Sequence, residues 1–194
     1  MSKVEEIMQL NRERINSAGK PSQDFSKIAL IQPKIPDGNY LPSLGLLYIA
    51  AVLEKNGFNV KVFDQGQKPD VIKDILVFRP DFVGITSVTA SINRAFKLAE
   101  EIKEVYPDIK VAIGGSHATA SPYETIENPW VDFVIKGEGE YPMLNLAMAL
   151  KKGGEDIEKV ESLFFKLNGQ TKKNREADDL ASHQLDDLPY PAFH

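Results

Sequence analysis

Apolar residues recur along this chain in two alternating rhythms. Short runs at Ile28-Ala29-Leu30-Ile31, Asn59 to Phe63, Phe82 to Ile85, Lys110 to Ile113 and Phe133 to Ile135 have the length and β-branched content of buried strands. Longer segments with helical spacing lie between them. Leu44 to Asn56 is almost wholly apolar and is closed by Gly57, a helix C-terminal signal. Val71 to Phe78 is expected to be a helix capped by Asp70 and stopped before Pro80. Ile92 to Val105 places Ile92, Ala95, Phe96, Ala99, Ile102 and Val105 on one face, and Pro107 marks its end. Ser121-Pro122-Tyr123-Glu124 has the form of a capping box with proline at the first helical position. Pro142 to Leu150 reads as the last helix, ended by Gly153-Gly154.

Five strands alternating with helices predict a parallel sheet covered on both faces. The fold class expected is α/β, flavodoxin-like and doubly wound, with strand order 2-1-3-4-5. Ligands of such sheets bind outside the strand C-termini, beside the point where the strand order reverses. The turns that stand out all fall there: Gln32 onward, Thr86-Ser87, Gly114-Gly115 and Gly137-Glu138. Beyond the alternation, Leu163 to Leu167, Asn168-Gly169 and Gln170 to Asn174 predict a β-hairpin with a tight turn. Arg175 to His194 has two prolines and no periodicity, as expected of a linker cut before a second domain. At the other end, Val4, Ile7, Met8 and Ile15 fit one stripe of a polar amphipathic helix or a frayed leader. The expected division is a leader over residues 1–26, a binding domain over 27–154, and a hairpin with linker over 155–194.

Composition narrows the function classes. The chain of 194 residues has a net charge of -5 and no lysine or arginine block, which argues against a nucleic-acid surface. Its longest apolar run, Leu44 to Leu53, is too short to span a bilayer, and Met1 to Arg14 lacks the apolar core of a signal peptide. No membrane association and a cytoplasmic location are therefore the expectations. Cysteine is absent, which excludes a disulfide, a thiol nucleophile and a cysteine-ligated cluster in this chain. Only His117, His183 and His194 are histidines, too few for a multi-histidine metal site.

The turns themselves discriminate among ligands. A phosphoacceptor domain needs acidic residues after the first strand and an aspartate ending the third. Here Gln32-Pro33 and Thr86-Ser87 stand at those places. A dinucleotide site needs Gly-x-Gly-x-x-Gly opening a helix. Gly137-Glu138-Gly139-Glu140 lacks the third glycine, and its two carboxylates repel phosphate. A large neutral ligand edged with amides fits better. Carboxylates and backbone carbonyls accept from amide N–H groups, glycines admit a bulky ring, and Thr86, Ser87, Thr89 and Ser116 add hydroxyls. Corrinoids have that shape and chemistry.

Five segments then carry a resemblance. Leu41-Pro42-Ser43-Leu44-Gly45-Leu46-Leu47-Tyr48-Ile49-Ala50 resembles the Pro-x-x-Leu-Gly-Leu-x-x-Leu-Ala segment of the cobalamin-binding domain in B12-dependent radical S-adenosylmethionine proteins. Val83-Gly84-Ile85-Thr86-Ser87 resembles that family's third-strand signature. Ala112-Ile113-Gly114-Gly115-Ser116-His117-Ala118-Thr119 is similar to its Gly-Gly-x-His-x-Thr turn. Val134-Ile135-Lys136-Gly137-Glu138-Gly139-Glu140 is similar to its Gly-Glu-Gly-Glu turn. The hairpin and Leu185-Asp186-Asp187-Leu188-Pro189-Tyr190-Pro191 resemble the stretch leading into the radical domain.

The resemblance covers residues 27–194. It implies cobalamin as cofactor, held by Pro42, Ser43, Leu44, Gly45, Thr86, Ser87, Val88, Thr89, Gly114, Gly115, Ser116, His117, Gly137, Glu138, Gly139 and Glu140. It further implies a following radical domain as partner. That domain carries S-adenosylmethionine and a [4Fe-4S] cluster on a Cys-x-x-x-Cys-x-x-Cys motif, and a small-molecule substrate. This chain alone is then not catalytic, and its parent is a methyltransferase- or cyclase-like enzyme. Other B12 domains carry Asp-x-His-x-x-Gly after the first strand. Here Pro33 to Tyr40 holds no histidine, so the resemblance implies cobalamin bound without that ligand.

Plainer roles stand beside these. His117 serves equally to satisfy backbone groups, and one of Glu138 and Glu140 is explained by a helix dipole. Trp130 reads as a packing anchor and Asp186-Asp187 as a solvated pair. A nucleotide- or sugar-nucleotide-binding domain of a larger enzyme, and a vestigial or regulatory ligand-binding domain, stay open from sequence.

Overall fold

The computed structural model describes residues 25–36, 42–177 and 186–193. The expected N-terminal helix, His183, His194 and residue Leu41 of the first motif lie outside these residues. The elements run β1 (Lys27–Gln32), α1 (Leu44–Lys55), β2 (Asn59–Asp64), α2 (Ile72–Phe78), β3 (Phe82–Thr86), α3 (Ile92–Val105), β4 (Lys110–Gly114), α4 (Ser116–Ala120), α5 (Pro122–Glu127), β5 (Phe133–Ile135), α6 (Glu140–Lys151), β6 (Leu163–Leu167) and β7 (Gln170–Lys173).

All strands form one sheet in the order β2-β1-β3-β4-β5-β6-β7. The first five pair in parallel, in the expected flavodoxin-like order. The hairpin is not an appendage: β6 pairs antiparallel with β5, matching Phe133 with Phe165, and β7 forms the far edge. The reason is visible in Leu163-Phe164-Phe165, which are all buried. Three consecutive apolar residues need cover on both faces, and only a place inside the sheet supplies it.

Strand side chains alternate between two layers. Ala29, Ile31, Val83, Ile85, Val111, Ile113 and Val134 face α2, α3, α4 and α5. Ile28, Leu30, Phe82, Ala112, Phe133 and Ile135 face α1 and α6. Each large apolar side chain buried this way contributes about 1.5–3 kcal/mol. The second layer is graded along the strands. Phe82 and Phe133 meet edge to face at 6.5 Å near the strand starts. Toward the strand ends the same face carries Gly84, Ala112 and Gly114.

Four expectations are corrected locally. The helix α2 starts after Val71 with no side-chain cap, and Asp70 instead pairs with Lys73 at 3.2 Å. The Ser121 capping box does not form, although Pro122 does open α5. There the Thr125 hydroxyl donates to the Ser121 carbonyl at 2.8 Å, so the turn is closed by back-bonding from inside the helix. The Gly114–Thr119 turn is largely wound into α4, and α6 begins at Glu140, two residues before Pro142.

Gly57 ends α1 as expected, with φ +84°. The tail is tied down at two places. The Ser162 N–H donates to the Arg175 carbonyl at 2.7 Å, and the Ala192 N–H donates to the Leu47 carbonyl on α1 at 3.1 Å. Trp130 packs on the core, and Asp186 and Asp187 are exposed, as read from sequence.

Candidate functional site

Where the second layer thins to small residues, a cavity of about 500 Å³ opens at the C-terminal end of the sheet. Its apolar wall comes from Leu30, Leu46, Ile49, Ala112, Ile135 and Met143. The rest of its lining includes Ser43, Gly45, Thr86, Gly114, Gly115, Ser116, Thr119, Gly137, Glu138, Gly139 and Glu140. The helices α1 and α6 both begin here, so their free backbone N–H groups and positive dipole ends face the opening.

Ser43 sets the start of α1. Its Oγ accepts from the Leu46 N–H at 3.4 Å, and its own N–H donates to the Gln32 side-chain carbonyl at 2.7 Å. Thr119 fixes the last turn, where its Oγ1 accepts from the Gly137 N–H at 2.9 Å.

The glycines divide into two kinds. A Cβ on Gly115 would lie 2.5 Å from the Ser87 carbonyl oxygen, and its φ is +94°. That glycine is demanded by the packing of two turns. Ser87 rivets them, since its N–H and its Oγ both donate to the Gly114 carbonyl, at 2.8 and 2.9 Å, and its carbonyl accepts from the His117 N–H at 3.2 Å. A Cβ on Gly139 would meet Ile49 Cδ1 at 2.8 Å, the tip of a side chain that can shift, at an ordinary φ of -99°. By contrast, a Cβ on Gly114 would meet nothing nearer than the Ile135 carbonyl at 3.7 Å. Gly45 and Gly137 have nothing within 4 Å. These three leave backbone bare beside open space, which is what a bulky ring requires, although Gly137, at φ +80°, is also demanded by its own backbone conformation.

Of the expected site residues, Pro42, Leu44, Ser87, Val88, Thr89 and His117 do not line the cavity. Pro42, Leu44, Val88 and Thr89 are exposed, whereas Ser87 and His117 are buried. His117 Nδ1 lies 3.3 Å from Thr89 Oγ1, linking the turns after β3 and β4, and its Nε2 has no partner. Among the described residues, no cluster of three or more histidine, aspartate or glutamate side chains is placed to hold a metal ion. No helix among them is long and apolar enough to cross a membrane.

Comparison with known proteins follows from this geometry. A family profile for the B12 binding domain matches residues 35–147. The chain belongs to the B12-binding domain family. As such a domain, it is 33% identical over 157 residues to an uncharacterized methyltransferase of Pyrococcus horikoshii, covering 78% of this chain and 33% of that protein. It is 36% identical over 122 residues to the anaerobic magnesium-protoporphyrin IX monomethyl ester cyclase of Rubrivivax gelatinosus, covering 60% of this chain and 22% of the cyclase. It is 28% identical to the cytidylyl-2-hydroxyethylphosphonate methyltransferase of Streptomyces wedmorensis, covering 91% of this chain and 42% of that enzyme. The chain thus spans well under half the length of these relatives.

Among solved structures, the cobalamin-dependent S-adenosylmethionine radical enzyme OxsB with aqua-cobalamin bound superposes with a TM-score of 0.75 at 17% identity, covering 88% of this chain and 24% of that one. The radical S-adenosylmethionine methyltransferase TsrM of Kitasatospora setae, with cobalamin and a [4Fe-4S] cluster bound, superposes at 0.67 and 20% identity, covering 83% and 30%. At these identities the likeness establishes the shared fold.

In this B12-binding domain, one charged side chain stands apart. Glu140, at the first residue of α6, is 7% exposed. Burial pushes its carboxyl above the ordinary value; the backbone N–H of Glu140 itself holds it down, the charge of Glu138 raises it, and the N–H of Gly139 lowers it again. The apolar lining was not read from sequence: Leu46, Ile49, Ala112 and Ile135 lie inside the quoted motifs but read as core, and Leu30 and Met143 lie outside them. Gly84 was the available signal, since a glycine inside a buried strand marks close approach of a neighbouring group.

Proposed function

We propose that this chain is the cobalamin-binding module of a B12-dependent radical S-adenosylmethionine enzyme, methyltransferase- or cyclase-like, and that it does not turn over alone. The observation that carries this reading is the bare backbone of Gly45, Gly114 and Gly137 around a cavity at the strand C-termini. A pocket of about 300–1,000 Å³ suits a drug-sized group rather than a whole corrinoid. On this reading the cavity would hold only part of the cofactor, and the glycine-bearing turns around it would hold the corrin ring.

Each part has a distinct task in this reading. Gly114 and Gly137 let the ring rest on backbone. Ser43, Thr86, Ser116, Thr119 and Glu138 meet its amide edge with hydroxyls and a carboxylate. The apolar wall around Leu30, Ile49 and Met143 takes the base and excludes water from it. Bound cobalamin supplies a cobalt centre able to carry a methyl group, while the protein supplies binding and orientation. The turn after β1 offers no histidine, and His117 lies beside Thr89 outside the cavity lining, so neither of these two places would supply cobalt with a histidine. S-adenosylmethionine, the [4Fe-4S] cluster and the substrate belong to a radical domain of the parent.

The test is a titration of the chain with hydroxocobalamin, followed by desalting and an absorbance spectrum, with ATP and a sugar nucleotide as competitors. Near-stoichiometric retention, unaffected by the nucleotides, is expected. Displacement by the nucleotides, or no retention, refutes the reading.

A further inference from the structure

Ser43 and Gly45 stand at the start of α1 and line the cavity, yet the local cap that fixes them is weak. The bond from the Leu46 N–H to Ser43 Oγ is 3.4 Å long, beyond the usual hydrogen-bond range. The body of α1 sits on the sheet through Leu46, Ala50 and Leu53, and apolar contact of that kind is non-directional. It presses the helix down without fixing how far the first turn reaches along its axis. The connection that arrives at Ser43 adds little of its own, since Pro33, Pro36 and Pro42 have no N–H to donate.

One short, directional tie stands out at this point: the Ser43 N–H donates to Gln32 Oε1 at 2.7 Å. Gln32 is the last residue of β1, is 9% exposed and is not part of the cavity lining. The strand end that carries it is braced from two sides. The N–H of Gln65, itself buried, donates to the Gln32 carbonyl at 3.0 Å. Gln65 Oε1 accepts from Arg94 Nε at 3.0 Å and from the Lys34 N–H at 3.4 Å, and its Nε2 donates to the Pro69 carbonyl at 3.1 Å. Gln32 therefore offers its acceptor from a fixed place.

We infer that Gln32 is a positioning residue for corrinoid binding, its side-chain carbonyl holding the first turn of α1 where the Gly45 backbone and the Ser43 hydroxyl meet the ligand. The inference rests on the cobalamin reading above. Gln32 touches no ligand in this account and acts only through Ser43. Loss of the acceptor frees the Ser43 N–H and lets the turn shift along the helix axis, while the apolar body of α1 stays seated. The defect then falls on binding more than on folding.

The experiment compares the native chain with Gln32→Met and Gln32→Glu. Methionine keeps the length and removes the acceptor. Glutamate keeps an acceptor oxygen at the same reach and gives up the amide N–H groups, so rescue by it isolates the acceptor; a carboxylate is also favoured at a helix N-terminus. Amide hydrogen exchange of Ser43 to Leu47 is measured without corrinoid, and hydroxocobalamin affinity by spectral titration. Thermal melts follow folding.

In Gln32→Met, exchange at Ser43 is expected to quicken about tenfold. Hydroxocobalamin affinity falls about tenfold in the same variant, with Tm within about 3 °C of native. Gln32→Glu returns both readouts to within about threefold of native. Unchanged exchange in Gln32→Met overturns the inference and leaves the cobalamin reading intact. Faster exchange with native affinity also overturns it, because the tie then has no bearing on the site. A Gln32→Glu chain as weak as Gln32→Met overturns it too, because the acceptor is then not what matters. If Gln32→Met does not fold, Gln32→Asn, whose amide falls one methylene short of Ser43, is read in its place. Failure of both to fold makes Gln32 a residue of the core and overturns the inference. A native chain that retains no corrinoid removes the reading beneath it and the inference with it.

Discussion

Adjacent glycines with opposite duties give the sharpest test of this structure. Substituting Gly115 by alanine places a Cβ 2.5 Å from the Ser87 carbonyl oxygen and 2.8 Å from both the Ser87 nitrogen and Thr86 Oγ1. Two of those atoms are backbone and cannot swing aside. Holding a non-glycine residue at φ +94° adds its own cost, about 1–3 kcal/mol. Overpacking adds about 1–3 kcal/mol more, since the Ser87 rivet must shift to admit the methyl. The sum is about 4 kcal/mol, a large part of the stability of an ordinary domain. For a chain of this size that corresponds to a fall in Tm of about 8–16 °C.

Gly114→Ala meets only an ordinary contact at 3.7 Å, so its Tm stays within about 3 °C of native. Its methyl points to the α1/α6 side, as Ala112 does, and occupies cavity space. It weakens cobalamin binding by about tenfold or more. Melts followed by circular dichroism and spectral titrations of both variants separate the two effects. A Gly115→Ala chain that melts with the native one, or a Gly114→Ala chain that binds as the native one does, refutes the division.

Two further expectations follow from charged groups. Asp132 accepts from the Val111 N–H at 2.8 Å and pairs with Lys103 at 2.7 Å, with side chains only 19% and 11% exposed. Asp132→Ala leaves a half-sequestered ammonium without its counterion and should cost about 3 kcal/mol in chemical denaturation; a loss below about 1 kcal/mol contradicts that reading. For Glu140, the folded carboxyl titrates above its ordinary value of 4.5 because burial disfavours its charge. Above the folded pKa the ionised group weakens the fold. As pH falls toward 4.5 the folded state takes its proton first, so stability rises relative to Glu140→Gln, and below 4.5 the difference is constant. Parallel Tm profiles for the two chains across that window would contradict the buried, desolvated carboxyl.

Sequence rhythm was enough to read the parallel sheet, its order and most element bounds. The bounds of α3 agree because its apolar spacing, its N-terminal turn and Pro107 all point the same way. The misread caps share one cause. A side chain able to cap has competing partners in three dimensions, and Asp70 takes Lys73 instead. The hairpin's place in the sheet was hidden because hairpin chemistry is local, whereas the pairing of Phe165 with Phe133 spans residues far apart in sequence. Ten of the sixteen expected site residues line the cavity, all of them in turns or at element ends. The six that do not are instructive. Ser87 and His117 lie in the same motifs but point their polar atoms at neighbouring turns, and motif membership does not encode side-chain direction.

The cavity itself arises from a size gradient on one face of a common sheet. At the strand starts, Phe82 and Phe133 fill the space beneath α1 and α6. At the strand ends the same face offers Gly84, Ala112 and Gly114, and α1 and α6 still stand over it, held by Ile49 against Gly139. Two rigid helices over a thinned floor leave a void that neither can collapse into, so it is expensive when empty. Gly84 shows how that cost is limited. A Cβ there would meet Met143 at 2.6 Å and Leu30 at 2.9 Å, so both side chains lie flat against the strand and fill part of the depth. Methionine is the residue best able to repack, because its unbranched thioether adapts to irregular space. Depth is set by Gly84 and bare surface by Gly114, each on a different strand of one rigid frame. The binding property therefore resides in a few side chains placed on a generic fold.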